Sequence, residues 1–267
     1  MVSRFFQRAY LFLIFLFLYA PIGILIIFSF NNSKSRVNWS GFTLRWYKEM
    51  IQDPQILSAL YYTLVIAVLA AIFATLIGTF AAMGIHNMRR WQRTIVMNLT
   101  NLPVLNPDIV TGISLMILFV FLSSRFRVLN PGFLTMLLAH ITFNIPYVIL
   151  SVLPKFKQLD KNLYEAALDL GATPWYAFFK VILPEISPGI VTGGLLAFTL
   201  SLDDFVISFF TTGTGVSNLS ILIYSMARRG VNPKLNALSA LLFVTTLALL
   251  LIVNARSSKD RTRKGKI

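Results

Sequence analysis

The stretch EAALDLGATPWYAFFKVILP, residues Glu165–Pro184, interrupts a chain that is otherwise mostly apolar. Apolar side chains recur at three- and four-residue steps up to Leu170, which predicts a short amphipathic helix. Gly171 ends that helix, as glycine does at a helix C-terminus. Thr173 followed by Pro174 starts a second helix, with threonine as the N-cap and proline in the first turn. The sequence therefore predicts two short helices joined by a sharp turn.

Each of these helices has an apolar face. The first face holds Phe156, Leu159, Leu163, Ala166, Ala167 and Leu170, and the second holds Trp175, Phe178, Phe179 and Ile182. Such faces suit a hairpin lying on the membrane surface. They equally suit a helix that fits into a groove of another protein. The residues alone leave both interpretations open.

Composition sets the surroundings of this segment. The chain has 267 residues, of which 56% are hydrophobic and only 13% are charged. A soluble domain carries about 25% charged residues, so we predict an all-α, polytopic membrane protein. Each of six apolar segments approaches the roughly 20 residues that a bilayer requires. They cover about residues 9–30, 58–84, 96–122, 132–153, 187–210 and 236–254, within a single membrane domain of residues 1–267.

The distribution of basic residues predicts the orientation. With six spans, 15 of the 24 Lys and Arg residues fall on the same side as the N-terminus. The positive-inside rule then places both termini and the loop of residues 155–183 in the cytoplasm. The net charge of +14 arises mainly from residues that flank apolar runs. This pattern is typical of membrane loops, and no nucleic-acid-binding module is present.

Two spans carry small residues at every fourth position, which allows close approach of helix backbones in lipid. The second span has Ala70, Ala74, Gly78 and Ala82, and the fifth has Gly189, Gly193, Ala197 and Ser201. This spacing predicts helix packing rather than a function.

Three acidic residues, Asp108, Asp203 and Asp204, fall within the predicted spans. Each costs about 2.5–3.5 kcal/mol at the centre of a lone membrane helix, so we expect them to face a cavity or a partner. A helical wheel of the fifth span aligns Asp204 with Ser201 and Ser208, with Asp203 at the edge of that stripe. The stripe predicts a pathway lining that attracts cations. The alternative is that the acids pair with a partner chain and serve only assembly.

Other candidate residues are less informative. Tyr147, beside Pro146 in the fourth span, is a candidate for a cation–π contact. His86 and His140 stand alone, and no third ligand nearby predicts a metal site. The chain contains no G-x-x-x-x-G-K-[ST] phosphate-binding loop.

The segment resembles the EAA motif of ATP-binding-cassette (ABC) importer permeases: E-A-A, three residues, G, nine residues, I, one residue, L-P. The matching residues are Glu165, Ala166, Ala167, Gly171, Leu183 and Pro184, with Val181 at the isoleucine position. The resemblance extends over nearly the whole chain and is nearest to permease subunits of spermidine/putrescine importers. It rests on residues 106–119, 140–152, 198–213 and 236–242.

This resemblance implies a type I ABC importer permease fold in a bacterial cell membrane. It implies a transport subunit, not an enzyme, which forms one pathway with a second, homologous permease. Two copies of a cytoplasmic ATPase, which holds ATP and Mg²⁺, would dock on the two EAA loops, and an extracellular polyamine-binding protein would deliver substrate. This chain itself would bind no cofactor. The residues implied in ATPase coupling are Glu165, Ala166, Ala167, Leu170, Gly171 and Pro184.

Three other functions remain as alternatives. The first is an ABC permease for another solute, since a binding protein partly sets substrate choice. The second is a proton-coupled secondary transporter that uses Asp108 and Asp204 as proton relays. The third is a purely structural membrane subunit, which the acidic stripe disfavours.

Overall fold

The structure, a computed structural model, describes residues 4–33, 38–126, 129–160, 162–230 and 233–264. These residues form twelve α-helices and one π-helical turn, and the only strand-like pairing among them is an isolated bridge between Asn31 and Phe42. The helices are α1 (Arg4–Phe28), α2 (Arg45–Ile51), α3 (Pro54–Asn87), α4 (Arg90–Leu105), α5 (Asp108–Phe126), α6 (Phe133–Gln158), α7 (Asn162–Asp169), α8 (Pro174–Ala177), α9 (Leu183–Asp203), α10 (Val206–Thr211), α11 (Leu219–Arg229) and α12 (Pro233–Lys264).

Six helical segments are long and apolar enough to cross a membrane. They are Phe6–Phe28, Pro54–Asn87, Asp108–Phe126, Phe133–Gln158, Pro174–Asp203 and Pro233–Leu251. The prediction of an all-α protein with six membrane spans is therefore confirmed.

The third span differs from its predicted bounds. Residues 96–122 do not form one helix, because α4 ends at Leu105 and α5 begins at Asp108. Between them, Asn106 has an extended backbone with ψ of 146°. The cause is Pro107, which lacks an N–H and disfavours a helical conformation in the residue before it. Asp108 consequently lies in the first turn of a helix, not in the middle of one.

The fifth span also differs from its prediction. The π-helical turn Phe178–Ile182 joins α8 to α9, so one helical run extends from Pro174 to Asp203. Pro184 has no N–H to donate to the carbonyl of Lys180, which explains the wider turn just before it. The second helix of the EAA segment is thus continuous with the fifth span. At its other end, α9 stops at Asp203, whereas one helix was predicted to continue to residue 210.

The core lies where α3, α6 and α9 pack against one another. The small residues predicted to mediate packing are buried, including Ala74 and Ala197. A Cβ atom added at Gly193 would lie 3.2 Å from the Cα of Val148 on α6. Glycine at this position allows the two backbones to approach closely, and a side chain would require a neighbour to shift. The prediction that both small-residue faces mediate packing is confirmed.

An ion pair fixes the start of α12 against the junction of α2 and α3. Lys234 Nζ lies 3.0 Å from Asp53 Oδ2. Partial burial raises the pKa of the Asp53 carboxyl, but hydrogen bonds from Lys234 and from the Gln55 backbone N–H outweigh it. The pKa of Asp53 therefore lies below its ordinary value, which favours the charged form that the ion pair requires.

Candidate functional site

The EAA segment contains the predicted sharp turn, and its hydrogen bonds explain why glycine is needed there. Gly171 has a φ of +85°, a conformation that other residues adopt only with strain. The Ala172 N–H donates to the Ala167 carbonyl at 3.1 Å, and the Gly171 N–H donates to the Leu168 carbonyl at 2.9 Å. These two bonds form a Schellman motif, which satisfies the last carbonyls of α7.

The second helix begins as predicted. The Thr173 hydroxyl accepts a hydrogen bond from the Tyr176 N–H at 3.3 Å, and Pro174 occupies the first turn of α8. The turn therefore has a defined cap on each side, which holds α7 at a fixed angle to the helical run that enters the membrane.

Large apolar side chains of this segment remain exposed. Leu170 is 89% exposed and Trp175 is 74% exposed, while Trp175 stacks on Phe179 at 6.0 Å between ring centroids. The predicted second apolar face is divided, because Phe178 and Ile182 pack on the core instead. Exposed aromatic and leucine side chains concentrated on one loop are typical of a protein-binding surface. These exposed side chains suit both a docking element for another protein and a hairpin on the membrane surface, so the docking role stays a prediction.

The residues implied in coupling lie along this element. Glu165, Ala166 and Ala167 are in α7, and Glu165 is exposed with no hydrogen-bond partner among the described residues. Pro184 lies in the first turn of α9, directly after the π-helical turn. Their role in ATPase coupling stays a prediction.

The predicted acidic site centres on the break between α9 and α10. Asp204 has an extended backbone, and its side chain, 8% exposed, turns back onto α10. Its Oδ2 accepts from the Ser208 N–H at 2.8 Å, and its Oδ1 accepts from the Ile207 N–H at 3.4 Å. Asp204 therefore caps a helix and sets the direction of the chain after the break.

A buried polar network surrounds this cap. His140 Nε2 lies 2.9 Å from Ser208 Oγ and 3.7 Å from Asp204 Oδ2. The Asn218 side-chain amide donates to Ser208 Oγ at 2.8 Å and to the Asp204 carbonyl at 3.2 Å. His140, Ser208 and Asn218 are buried, so the network holds three separate segments in one arrangement. His140 is thus a packed, hydrogen-bonded histidine.

A second buried pair joins the same helices. The Asn144 side-chain amide of α6 donates to Ser201 Oγ of α9 at 2.6 Å. Ser201 and Ser208 are both buried, at 2% and 0% exposure. The single stripe drawn on a helical wheel is wrong, because the helix is interrupted between these two serines. In this conformation both serines pack against neighbouring helices, and their role as pathway residues stays a prediction.

Asp108 and Asp203, by contrast, have exposed side chains. The Asp108 carboxylate is close enough to interact electrostatically with both Tyr147 and Asp204, and Asp203 interacts with Asp204 in the same way. Tyr147 is half-buried on α6. The fold thus brings together the three predicted acids and the predicted tyrosine from α5, α6 and the α9–α10 break.

This arrangement has a clear chemical consequence. Two exposed carboxylates that both interact with Asp204, in a largely apolar surrounding, attract cations and repel anions. A linear molecule with several ammonium groups pairs with more than one acid at once. The half-buried Tyr147 adds an aromatic surface beside them.

Sequence reasoning did not identify Asn144 and Asn218 as site residues. Asn218 gave one signal, since asparagine directly before a helix is a common N-cap. In the structure its Oδ1 accepts from the Ile221 N–H at 2.9 Å as the N-cap of α11. Asn144 carries a weaker one, a single amide within an apolar span.

The six apolar helices define a multi-pass membrane protein. A model of the family "Binding-protein-dependent transport system inner membrane component" matches residues 74–257. The chain belongs to this family. It is therefore a multi-pass membrane subunit of a transport system and not an enzyme.

The relatives are close over most of their length. The putrescine transport system permease protein PotI of Escherichia coli K12 is 42% identical over 256 residues, which cover 93% of this chain and 90% of that protein. The spermidine/putrescine transport system permease protein PotC of the same strain is 38% identical over 263 residues, which cover 98% of this chain and 97% of that protein.

A solved structure has the same fold. A chain of a bacterial ABC transporter that imports the acidic polysaccharide alginate superposes with a TM-score of 0.70 at 19% sequence identity. The superposition covers 96% of this chain and 95% of that chain. The prediction of a type I ABC importer permease fold is confirmed.

Proposed function

We propose that this chain is a permease subunit of an ATP-driven importer for the polyamines spermidine and putrescine. The observation that carries the proposal is the grouping of Asp108, Asp203 and Asp204 at the helix break, where two of the carboxylates are exposed. The names of the relatives PotI and PotC support the same substrate class. The pathway forms together with a second, homologous permease.

Energy for transport enters through the EAA segment. Two copies of a cytoplasmic ATPase dock, one on each permease, and the exposed Leu170 and Trp175 enter a groove of the ATPase. ATP and Mg²⁺ bind in that separate chain, and this chain holds no cofactor. An extracellular binding protein delivers the polyamine. Both termini lie in the cytoplasm, in agreement with the positive-inside bias of the loops.

Within the pathway, the acids have different roles. Asp108 and Asp203 are exposed in this subunit and attract the ammonium groups of the substrate. Asp204 accepts backbone hydrogen bonds and holds the break in place, so that the other two carboxylates keep their spacing. Tyr147 lies beside them and contacts the methylene or ammonium groups of the polyamine.

Uptake of labelled spermidine in cells that express the complete transporter tests this proposal. Asp108→Asn and Asp203→Asn each remove one charge without changing size, and we expect each to lower uptake about tenfold or more. Glu49→Gln is the matched control, because Glu49 is partly exposed and its ion-pair partner among the described residues is Arg45, at 2.6 Å. Membrane levels of the protein and bound ATPase are measured in parallel.

Uptake that stays normal in both aspartate variants, with normal assembly, contradicts the role of the acids. Absence of spermidine and putrescine uptake in the wild type, with an ATPase bound, identifies an ABC permease for another solute. Uptake that follows a proton gradient after ATP depletion identifies a secondary transporter instead. That last outcome leaves the capped EAA turn without an assigned function.

A further inference from the structure

A cavity of about 700 Å³ lies beside the EAA segment, at the end of the helical bundle that carries it. It is enclosed by the end of α3, the start of α4, the end of α6, α7 and the π-helical turn. The lining residues are Met83, His86, Asn87, Arg93, Phe156, Lys157, Leu159, Asp160, Tyr164, Phe178 and Ile182. None of the roles assigned above uses this cavity.

The polar wall of the cavity is basic and incompletely hydrogen-bonded. His86, Arg93 and Lys157 lie close enough for the two cationic groups to act electrostatically on the histidine. His86 Nδ1 and Arg93 Nη2 are buried, and neither has a hydrogen-bond partner among the described residues. A buried guanidinium nitrogen without an acceptor is costly, which indicates that an acceptor binds there.

One acid also lines the cavity. The Asp160 carboxylate accepts a hydrogen bond from the Asn162 N–H at 3.0 Å, so one of its oxygens is already used in starting α7. Arg93 and Lys157 together outweigh this single negative charge. The cavity therefore favours an anion.

The remaining wall is apolar, and this feature restricts the kind of anion. Met83, Leu159 and Ile182 line it together with the aromatic rings of Phe156 and Phe178. His86 stacks on Phe156 at 5.5 Å between ring centroids. A free inorganic ion fills only a fraction of this volume and leaves the apolar wall uncovered. A ligand with an anionic head and an apolar body fits both walls.

The neighbouring helix places the cavity at the level of lipid headgroups. The start of α4 carries Arg89, Arg90 and the exposed Trp91 just outside the end of the second span. Tryptophan and arginine together are typical of the membrane interface, where the phosphate groups of lipids lie.

We propose that the cavity binds the phosphate group of an anionic phospholipid. The phosphate accepts hydrogen bonds from Arg93 Nη2 and from the Nδ1–H of His86, with Lys157 as a further cation, and the glycerol and upper acyl region contact the apolar wall. The lipid then bridges α3 and α4 to the EAA segment, so that it braces the element that docks the ATPase. The cytoplasmic position of the cavity rests on the proposed orientation, but the binding itself does not depend on the transported substrate.

Native mass spectrometry of the complete transporter in nanodiscs tests this site. The nanodiscs contain phosphatidylcholine with a minor share of phosphatidylglycerol, and retained phosphatidylglycerol is counted after detergent release. We expect Arg93→Gln to lower retention about tenfold, because one charge-assisted hydrogen bond is lost. Arg90→Gln is the matched control: Arg90 lies on the same helix, exposed and outside the cavity lining. The Arg90→Gln variant retains as much phosphatidylglycerol as the wild type.

Lys157→Gln provides a second variant if Arg93→Gln does not assemble, and it also lowers retention. Equal retention of phosphatidylglycerol in wild type, Arg93→Gln and Lys157→Gln overturns the proposal. A parallel arm adds millimolar inorganic phosphate to transporter in phosphatidylcholine alone. Thermal protection by phosphate that requires Arg93 and equals that by phosphatidylglycerol identifies a soluble phosphate site and overturns the lipid assignment. Lipid retention without polyamine uptake supports this site and contradicts only the proposed substrate.

Discussion

Two adjacent residues, Asp203 and Asp204, have the same side chain and opposite surroundings. The Asp204 carboxylate accepts backbone hydrogen bonds from Ile207 and Ser208, and its side chain is 8% exposed. The Asp203 side chain is exposed. Position at a helix break, more than residue type, decides which carboxylate has a structural role and which remains available to a cation.

This difference predicts different effects on stability. Asp204→Ala removes the cap of α10 and leaves buried donors without an acceptor, so we expect it to lower the free energy of unfolding by about 1–3 kcal/mol. Asp203→Ala is the matched control and changes stability by less than about 0.5 kcal/mol. Thermal unfolding of the purified complex in detergent compares the two. An equal loss of Tm in both variants contradicts the structural role of Asp204.

The Asp53–Lys234 ion pair predicts a pH dependence. The folded-state pKa of Asp53 lies below its ordinary value, so the pair stabilises the fold above the unfolded pKa of about 3.9. This contribution, below about 1 kcal/mol for a partly exposed pair, is lost as the pH falls through the folded pKa. We therefore expect the Tm difference between wild type and Asp53→Asn to be largest above about pH 5 and to shrink below about pH 4. A difference that grows on acidification reverses the assigned sign.

At the scale of single residues, the sequence predicted which charged side chains matter but not which side chains form hydrogen bonds with one another. Asp108, Asp203 and Asp204 are recognisable because a charge inside an apolar run is costly. Asn144 is not, because its partner Ser201 lies 57 residues away and only the packing of α6 on α9 brings them together. Polar residues whose burial in a membrane helix costs only a moderate free energy become informative only once the neighbouring helix is known.

At the scale of elements, the turn of the EAA segment was predicted best. Gly171 at the end of an apolar repeat, followed by Thr173 and Pro174, specifies a helix end and a helix start through local backbone chemistry. Such signals act within a few residues and require no knowledge of the fold. The capped turn at φ +85° is their direct result.

Replacement of Gly171 tests how far this turn matters for coupling. Gly171→Ala imposes a strain of about 1–2 kcal/mol at a positive φ, although the added Cβ would meet no atom within 4 Å. We expect α7 to change its angle, and the amount of ATPase that co-purifies with the permease to fall several-fold. Asn tolerates positive φ, so Gly171→Asn keeps more of the binding.

The matched control is Gly84→Ala. Gly84 lies within α3, where an added Cβ also meets no atom within 4 Å and where the backbone is helical. It isolates the effect of positive φ from the effect of adding a methyl group. ATPase binding that stays normal in Gly171→Ala removes the turn geometry from the docking mechanism.

The helix breaks were predicted less well than the turn. A helical wheel assumes one continuous helix, and this assumption fails at Asp204 and at Pro107. Pro107 gave a local signal, since the residue before a proline disfavours helix. Asp204 gave none, because its break is stabilised by His140 and Asn218 from distant parts of the chain.

At the scale of the whole molecule, a large apolar surface remains uncovered. In Phe6–Phe28, no residue of the most apolar 18-residue stretch is buried. In Asp108–Phe126, only 11% of the corresponding stretch is buried. Lipid covers such faces in a lone subunit, and a second permease covers part of them in the proposed complex. Asp108 lies at the start of this largely uncovered α5, so a second permease that packs on α5 in the proposed complex would lie beside the exposed acid.

Orientation in the membrane is the property of the whole molecule that the proposed mechanism requires most. The chain contains no cysteine, so each single introduced cysteine reports its own position to a membrane-impermeant thiol reagent. Ser40 precedes α2 and Asp169 ends α7, and both are exposed. We expect Ser40→Cys to react in spheroplasts with an intact membrane. Asp169→Cys reacts only after permeabilisation, and less so when the ATPase is bound, because α7 then lies in the groove of the partner. The reverse labelling pattern places the EAA segment outside the cell, where no ATPase is available, and so contradicts both the orientation and the proposed mode of coupling.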